Sequence, residues 1–218
     1  MDYQPAAGTL LDAGCAGTIA VWSFRAQSRS PVSLLKGLIA GCLDFARHDC
    51  RKMKTAVALG SNLGDRLENL RAARRQIIEL DWIRPPVLSA GIYETEPVDC
   101  EPGASKFLNT VIEFDFEGDP VQLLGQLARI EESLGRKRDH PKNVSRTVDI
   151  DLLYRGDRQI DNERLQLPHP QMHLRKFVLQ PLADIRSELL LPDQRKTVQE
   201  LLTESDESGE VVRLMNDW

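Results

Sequence analysis

Apolar and polar residues alternate over several short stretches of the chain, and each stretch predicts a β-strand with one buried face. The first strand is predicted over residues 54–59 and runs into a turn that begins Gly60-Ser61-Asn62. Further stretches of this kind predict strands over residues 87–93, 106–116, 148–152 and 158–161. The Pro85-Pro86 pair is predicted to end the connection before the second strand, because proline lacks an amide hydrogen.

Apolar residues recur at helical spacing in two segments between these strands. The first predicted helix carries its apolar positions from Leu67 to Leu80, with Asn62 or Asp65 as its N-terminal cap. The second helix begins at Pro120 and is stopped by Gly135. Two more helices are predicted near residues 174–185 and 196–203.

The order of elements after Met53 is strand, helix, strand, strand, helix, strand. This order predicts an α+β fold of the ferredoxin-like, split βαβ type, with an antiparallel sheet and helices on one side of it. Many unrelated activities share that fold, so the fold alone does not indicate what the protein does.

Residues 1–52 lack the periodicity of the rest and are predicted to be a poorly ordered or partly helical extension of a domain spanning residues 53–218. Within them, residues 34–46 have the spacing of one amphipathic helix. Early acidic residues argue against a mitochondrial transit peptide. Because Met53 stands directly before the first strand, our hypothesis is that Met53 is the true translation start.

Composition narrows the functional classes. The chain has 218 residues, of which 41% are hydrophobic and 28% are charged, as expected for a globular protein. A net charge of -5 argues against a general nucleic-acid binder. No apolar run approaches the roughly 20 residues of a membrane helix. The four cysteines form no CxxC pair, so we expect neither a zinc site nor a disulfide framework, and a cytoplasmic location.

Two aspartates on one predicted strand are the strongest chemical signal. Asp149 and Asp151 are two residues apart, so their side chains share a face, with Cα atoms roughly 6.5–7 Å apart. Two converging carboxylates repel unless a cation or a proton lies between them, and oxygen ligands of this kind suit Mg²⁺. The alternative is an exposed strand face with ordinary surface acids.

Other side chains suggest how a nucleotide and a flat ring would be held. Phe107 and Asn109 share a strand face and suit a heterocycle, although a second packed face explains them equally well. His169 lies between two prolines and suits a phosphate contact or a proton donor, with a packed turn residue as the alternative. Arg175 and Phe177 offer a further phosphate contact and a second aromatic face. No P-loop motif is present.

Five short motifs occur in a fixed order between residues 54 and 200. They are Gly60-Ser61-Asn62-Leu63-Gly64, Tyr93-Glu94-Thr95-Glu96-Pro97, Phe107-Leu108-Asn109, Arg146-Thr147-Val148-Asp149-Ile150-Asp151 and Pro168-His169-Pro170. Together they resemble the 6-hydroxymethyl-7,8-dihydropterin pyrophosphokinase family of folate synthesis. Some members carry an aromatic residue and Gly-Pro where this chain has Asn143-Val144-Ser145, a departure within the loop 136–146 that closes over the substrates in the family.

The resemblance implies that the protein moves diphosphate from ATP to the hydroxymethyl group of the pterin and releases AMP. Asp149 and Asp151 would hold two Mg²⁺ ions. The ATP contacts implied are Glu131, Arg136, Arg138, Arg146, His169 and Arg175. The pterin contacts implied are Gly60, Thr95, Pro97, Val98, Phe107, Asn109 and Phe177. The catalytic residues implied are Arg136, Arg146, Asp149, Asp151 and His169. The family precedent also implies a monomer that needs neither nucleic acid nor a membrane.

Two other functions stay open at this point. One is a non-catalytic ferredoxin-like module that binds RNA through the basic loop, which the acidic net charge disfavours. The other is an ATP-dependent kinase that acts on a different flat heterocycle. Such a kinase would release ADP, whereas diphosphate transfer releases AMP.

Overall fold

The computed structural model describes residues 53–98, 100, 102–136, 145–192, 194–206 and 209–218. The segment 1–52, Arg138 and the residues 137–144 of the predicted closing loop lie outside these ranges. The extension, the boundary at Met53 and the role of Arg138 therefore stay predictions.

An antiparallel sheet of six strands forms the centre of the domain. Its strands are β1 (Met53–Ser61), β2 (Ile83–Ser89), β3 (Ile92–Thr95), β4 (Phe107–Phe116), β5 (Asp149–Arg155) and β8 (Val211–Met215). The strand order is β5-β1-β4-β3-β8, and β2 also pairs with β4. Strand β4 thus separates β1 from β2 and β3, and β1 separates β4 from β5, which confirms the split βαβ arrangement. A two-stranded sheet joins β6 (Ile160–Asp161) to β7 (Gln166–Leu167).

The described residues also form four helices and one short 3-10 turn. They are α1 (Arg66–Ile78), α2 (Pro120–Ser133), the 3-10 turn Met172–Leu174, α3 (Lys176–Arg186) and α4 (Val198–Glu204). Of the two predicted caps, Asp65 is the one that caps α1, since its side chain accepts the backbone N–H of Glu68 at 3.1 Å. Proline is the first residue of α2, as predicted.

Helices pack on both faces of the sheet, so the prediction of helices on one side is wrong. The helices α1 and α2 cover the face that carries Val57 and Leu59. The helices α3 and α4 cover the opposite face, which carries Ala56 and Val111. The sequence predicted only one buried face for β4, because residues on its second face, such as Glu113, are polar. In the structure these polar residues are buried and hydrogen-bonded.

The predicted strand over 87–93 is also wrong in its bounds, since β2 and β3 are separate strands with a break between them. The prolines Pro85-Pro86 lie inside β2 and not before it. They occupy an exposed interruption of the β2–β4 register between Arg84 and Leu88, where no ladder hydrogen bond is needed. Strand β8 had no counterpart in the prediction, because its partner β3 is distant in sequence.

Candidate active site

Four residues lie side by side across four strands at one end of the sheet. Tyr93 on β3 is opposite Asn109 on β4, Asn109 is opposite Gly60 on β1, and Gly60 is opposite Asp149 on β5. Directly opposite residues share a face, so these four form one cross-strand row beneath the N-terminal end of α3. The row brings an amide of the predicted pterin site and a carboxylate of the predicted metal site to the two sides of one glycine.

Gly60 keeps the middle of this row open. A Cβ atom at this position would lie 3.0 Å from Oδ1 of Asn109 and 3.7 Å from the ring of Phe107. It would also lie 4.0 Å from Cβ of Asp149. The absence of a side chain therefore leaves space between the amide and the carboxylate, where the two reacting groups of a transfer reaction would have to meet.

A cavity of about 600 Å³ opens above the row. Of the residues predicted to hold the pterin, the ones that line it are Gly60, Thr95, Val98, Phe107, Asn109 and Phe177. Pro97 does not line it. Asn109 is buried, and its side-chain amide donates to the Thr95 hydroxyl at 2.7 Å. The face that carries Phe107 and Asn109 is therefore packed along its length but open at this end.

The two aspartates occupy the other half of the same cavity, with Arg146 and Arg175. Both carboxylate oxygens of Asp149 are bound by arginine, Oδ1 by Arg136 at 2.7 Å and Oδ2 by Arg146 at 2.8 Å. Burial and, second, the negative charge of Asp149 raise the pKa of Asp151. The pair is therefore a partly buried acidic site, not an exposed strand face.

His169 lies close to Asp151, and the two side chains interact electrostatically. The backbone N–H of Gln171 donates to Nδ1 of His169 at 3.2 Å, so Nε2 is the nitrogen left to carry a proton. Burial lowers the pKa of His169, and Asp151 opposes that change. A neutral imidazole with a proton on Nε2 can donate one hydrogen bond to a phosphate oxygen.

The N-terminal end of α3 brings a cation and an aromatic ring to the cavity together. The guanidinium of Arg175 lies 5.5 Å from the centre of the Phe177 ring, a cation–π contact. Arg175 also donates to the side chain of Gln171, which lines the cavity. Gln171, Leu174 and Cys100 also line the cavity but were not predicted, because they lie outside the five motifs. Glu96 lies within the second motif, but it was not assigned a role.

Glu131 does not line the cavity but contacts residues next to the aspartate pair. Its carboxylate is hydrogen-bonded by Arg136 and by the backbone N–H of Ile150 at 2.8 Å. Burial raises the pKa of Glu131 to about 7, although the positive charge of Arg136 acts to lower this pKa. Its predicted contact with the adenosine half of ATP stays a prediction.

We expect Glu131 to make the stability of the protein depend on pH. Its pKa is higher in the folded chain, about 7, than the ordinary 4.5, so its stabilising contribution is complete below pH 4.5 and is lost as the pH rises through 7. The loss amounts to at most about 3 kcal/mol. Urea unfolding in EDTA between pH 4.5 and 8 should therefore give a flatter profile for Glu131→Gln than for the wild type. Parallel profiles would contradict this assignment.

Asn62, which the sequence offered as a possible cap and as part of the first motif, positions Arg146 in the site. Its side chain accepts the backbone N–H of Arg146 at 2.7 Å and donates to the Ser145 hydroxyl at 3.1 Å. Its own backbone N–H donates to the carbonyl of Arg146 at 3.2 Å. The turn after β1 therefore fixes the position from which Arg146 reaches Asp149.

The donor set fits a magnesium ion that shares its ligands with a phosphate. Among the described residues, no group of three or more His, Cys, Asp or Glu side chains converges on a point. Of the described residues that line the cavity, Asp149, Asp151 and Glu96 are the ones that carry carboxylates. Mg²⁺ is commonly bound by one or two carboxylates, with water and substrate phosphates as the remaining ligands.

Comparison with known proteins gives the family. A family model described as 7,8-dihydro-6-hydroxymethylpterin-pyrophosphokinase (HPPK) matches residues 56–187. The chain belongs to this family. The match contains the cross-strand row, both aspartates, His169 and the whole of α3, so all residues that line the cavity lie within the HPPK region.

Curated relatives of the HPPK family match most of the domain. The 2-amino-4-hydroxy-6-hydroxymethyldihydropteridine pyrophosphokinase of Haemophilus influenzae is 38% identical over 139 residues, which cover 64% of this chain and 85% of the relative. The protein of the same name from Bacillus subtilis is 41% identical over 129 residues, which cover 59% of this chain and 75% of the relative.

Solved structures support the fold. Wild-type Plasmodium falciparum HPPK-DHPS with SDX-DHP superposes with a TM-score of 0.55 at 14% identity, and the match covers 70% of this chain and 44% of that one. At this identity the likeness shows the HPPK fold and nothing finer. In the part of the chain that the structure describes, no helix is long and apolar enough to cross a membrane.

Proposed function

We propose that this protein transfers diphosphate from ATP to the hydroxymethyl group of 6-hydroxymethyl-7,8-dihydropterin and releases AMP, a step of folate biosynthesis. Membership of the HPPK family and the names of its curated relatives support this activity. The observation that carries it to this chain is the cross-strand row, in which Asn109 and Asp149 flank Gly60 beneath one cavity. A flat heterocycle and a chain of phosphates would meet there.

The heterocycle would bind between two aromatic rings at one end of the cavity. Phe107 on β4 and Phe177 on α3 both line this end. Stacking on two rings suits a flat pterin, and Asn109, oriented by Thr95, would hydrogen-bond its polar edge. Val98, which also lines the cavity, would add an apolar contact to the ring.

The phosphates of ATP would bind at the arginine-rich end. Arg136 and Arg146 both contact Asp149, and each guanidinium has further N–H donors that suit a phosphate oxygen. Arg175, which lines the cavity, and His169, which interacts with Asp151, would neutralise or hydrogen-bond further oxygens. Positioning and charge neutralisation are the main requirements of transfer between phosphate and hydroxyl oxygens.

The transfer forms one bond and breaks one. The hydroxymethyl oxygen of the pterin attacks the β-phosphorus of ATP, and the bond from that phosphorus to the oxygen of the α-phosphate breaks, so AMP leaves. Asp149, next to Gly60 in the row, would lie nearest the attacking hydroxyl, whose proton would pass to solvent water. Mg²⁺ held by Asp149 and Asp151, two ions in our proposal, would supply charge stabilisation to the phosphates.

The test separates the nucleotide products. The full chain is incubated with Mg-ATP and 6-hydroxymethyl-7,8-dihydropterin, and AMP is resolved from ADP by chromatography. AMP formed in step with loss of the pterin is the expected result. ADP in place of AMP would indicate simple phosphate transfer, and neither product from a folded chain that binds Mg-ATP would indicate another acceptor. Either of these outcomes would overturn the proposal.

We further propose that the protein acts as a cytoplasmic monomer without a nucleic-acid or membrane partner. The net charge of -5 supports this proposal, because nucleic acids and the inner faces of membranes are themselves anionic. Light scattering at the concentration of the kinetic assay should give the mass of one chain. A mass of two chains under those conditions would contradict the monomer.

A further inference from the structure

The C-terminal strand β8 adds a fifth member to the cross-strand row. Arg213 on β8 is opposite Tyr93, which is in turn opposite Asn109. Their side chains therefore stand next to one another on the α3 face. The end of the chain is also fixed, because the indole N–H of Trp218 donates to the carbonyl of Ala90 at 2.8 Å. Strand β8 contains none of the five family motifs, but it is connected to the heterocycle end of the cavity through one residue, Tyr93.

Arg213, Tyr93 and Asp184 form a hydrogen-bonded cluster between β8, β3 and α3. The Tyr93 hydroxyl donates to the Asp184 carboxylate, with 2.9 and 3.0 Å to its two oxygens, and accepts from Nε of Arg213 at 2.9 Å. Arg213 and Asp184 also form an ion pair, and the backbone N–H of Gly91 donates to Asp184 at 3.2 Å. A Cβ on Gly91 would lie 2.8 Å from the carbonyl oxygen of Met215, so this close approach of β8 requires glycine.

The cluster joins the two elements that carry opposite sides of the heterocycle site. Tyr93 precedes Thr95 by two residues on β3, so both point to the same face, and Thr95 orients Asn109. Asp184 follows Phe177 by seven residues on α3, which places it two turns along the same side of the helix, about 10 Å away. Fixing Tyr93 to Asp184 therefore fixes the amide side of the cavity relative to the aromatic side.

We propose that Arg213 is a positioning residue for the pterin, acting through Tyr93 and Asp184. Arg213 holds the Tyr93 side chain next to Asn109 and holds α3 against β3. Phe177 therefore stays at a fixed distance from the Asn109 amide, which would hydrogen-bond the pterin ring. This inference rests on the proposed function. The phosphate end of the cavity is held separately, by Asn62 and Glu131, so the cluster should affect the pterin and leave ATP unchanged.

The test compares variants that remove parts of the cluster. Arg213→Met removes both its hydrogen bond and its ion pair, and Tyr93→Phe removes the hydroxyl but keeps the ring. We expect each to raise the KM for the pterin, and the Kd from a direct fluorescence titration of the pterin, by about three- to tenfold, the effect of one lost hydrogen bond. The KM for ATP and kcat should stay within about twofold of the wild type.

Two further variants, Arg213→Lys and Val212→Thr, serve as controls. Arg213→Lys keeps the ion pair with Asp184 and should recover part of the pterin affinity that Arg213→Met loses. Val212→Thr changes an exposed neighbour on the same strand and should have no effect. Folded variants with wild-type pterin affinity, or with equal losses for pterin and ATP, would overturn the positioning role alone. A wild-type chain that binds no pterin would overturn the proposed function and this inference with it.

Discussion

Asp151→Asn should lower the rate of AMP formation by about a thousandfold or more, while the protein stays folded. Asp151 and Asp149 are the two carboxylates of the proposed magnesium site, and metal ions contribute several kcal/mol to such transfers, with 1.36 kcal/mol for each factor of ten. The measurement is AMP release at saturating Mg-ATP and pterin. Asp151→Ala should give a loss of similar size.

Stability measurements on the same variant separate a metal role from a structural one. Burial and repulsion by Asp149 raise the pKa of Asp151, so the neutral amide should leave the metal-free unfolding midpoint unchanged or higher. The rise in midpoint that Mg²⁺ with an ATP analogue gives the wild type should be lost. Asp161→Asn, an exposed aspartate on β6, is the matched control and should keep full activity. Turnover of Asp151→Asn within tenfold of the wild type would contradict the proposed role.

Arg186→Met should destabilise the protein by about 3 kcal/mol. This value is at the lower end of the cost of breaking a buried ion pair, because Arg186 is itself partly exposed. Its Nε lies 2.9 and 3.0 Å from the two carboxylate oxygens of Glu113, whose side chain is 1% exposed. Among the described residues, the Tyr154 hydroxyl is the hydrogen-bond donor that would remain for the Glu113 carboxylate without Arg186, and it donates at 2.6 Å. For a chain of this length, the loss corresponds to a midpoint lower by about 6–12 °C.

The second variant in this test removes the charge as well. Arg186→Met combined with Glu113→Leu should recover much of the lost stability, because the carboxylate no longer lies unpaired in the interior. Arg71→Met, an exposed arginine on α1, is the control and should change the midpoint little. Because Glu113 is four residues from Asn109 along β4, about 13 Å, the folded Arg186→Met variant should keep its kcat at 25 °C. A double variant no more stable than the single one would contradict the ion-pair explanation.

Local patterns in the sequence determined the elements whose stability depends on near neighbours. The cap Asp65, one of the two candidates for α1, and the proline at the start of α2 act within one turn of their helices, so local sequence was enough to predict them. The face shared by Asp149 and Asp151 follows from the period of a strand, and the resemblance carried by the five motifs indicated the family that the comparison confirmed.

What the sequence by itself left undecided depends on contacts between distant residues. The register that aligns Arg213, Tyr93, Asn109, Gly60 and Asp149 joins five strands, and a shift of one residue in any pair would turn its side chains to the other face. The helices α3 and α4 were predicted, but their position on the second face of the sheet was missed for the same reason. The sequence left open whether the face that carries Asn109 is packed, because polarity in a sequence does not reveal a buried partner. Only the tertiary structure brings Thr95 to Asn109 and Arg186 to Glu113.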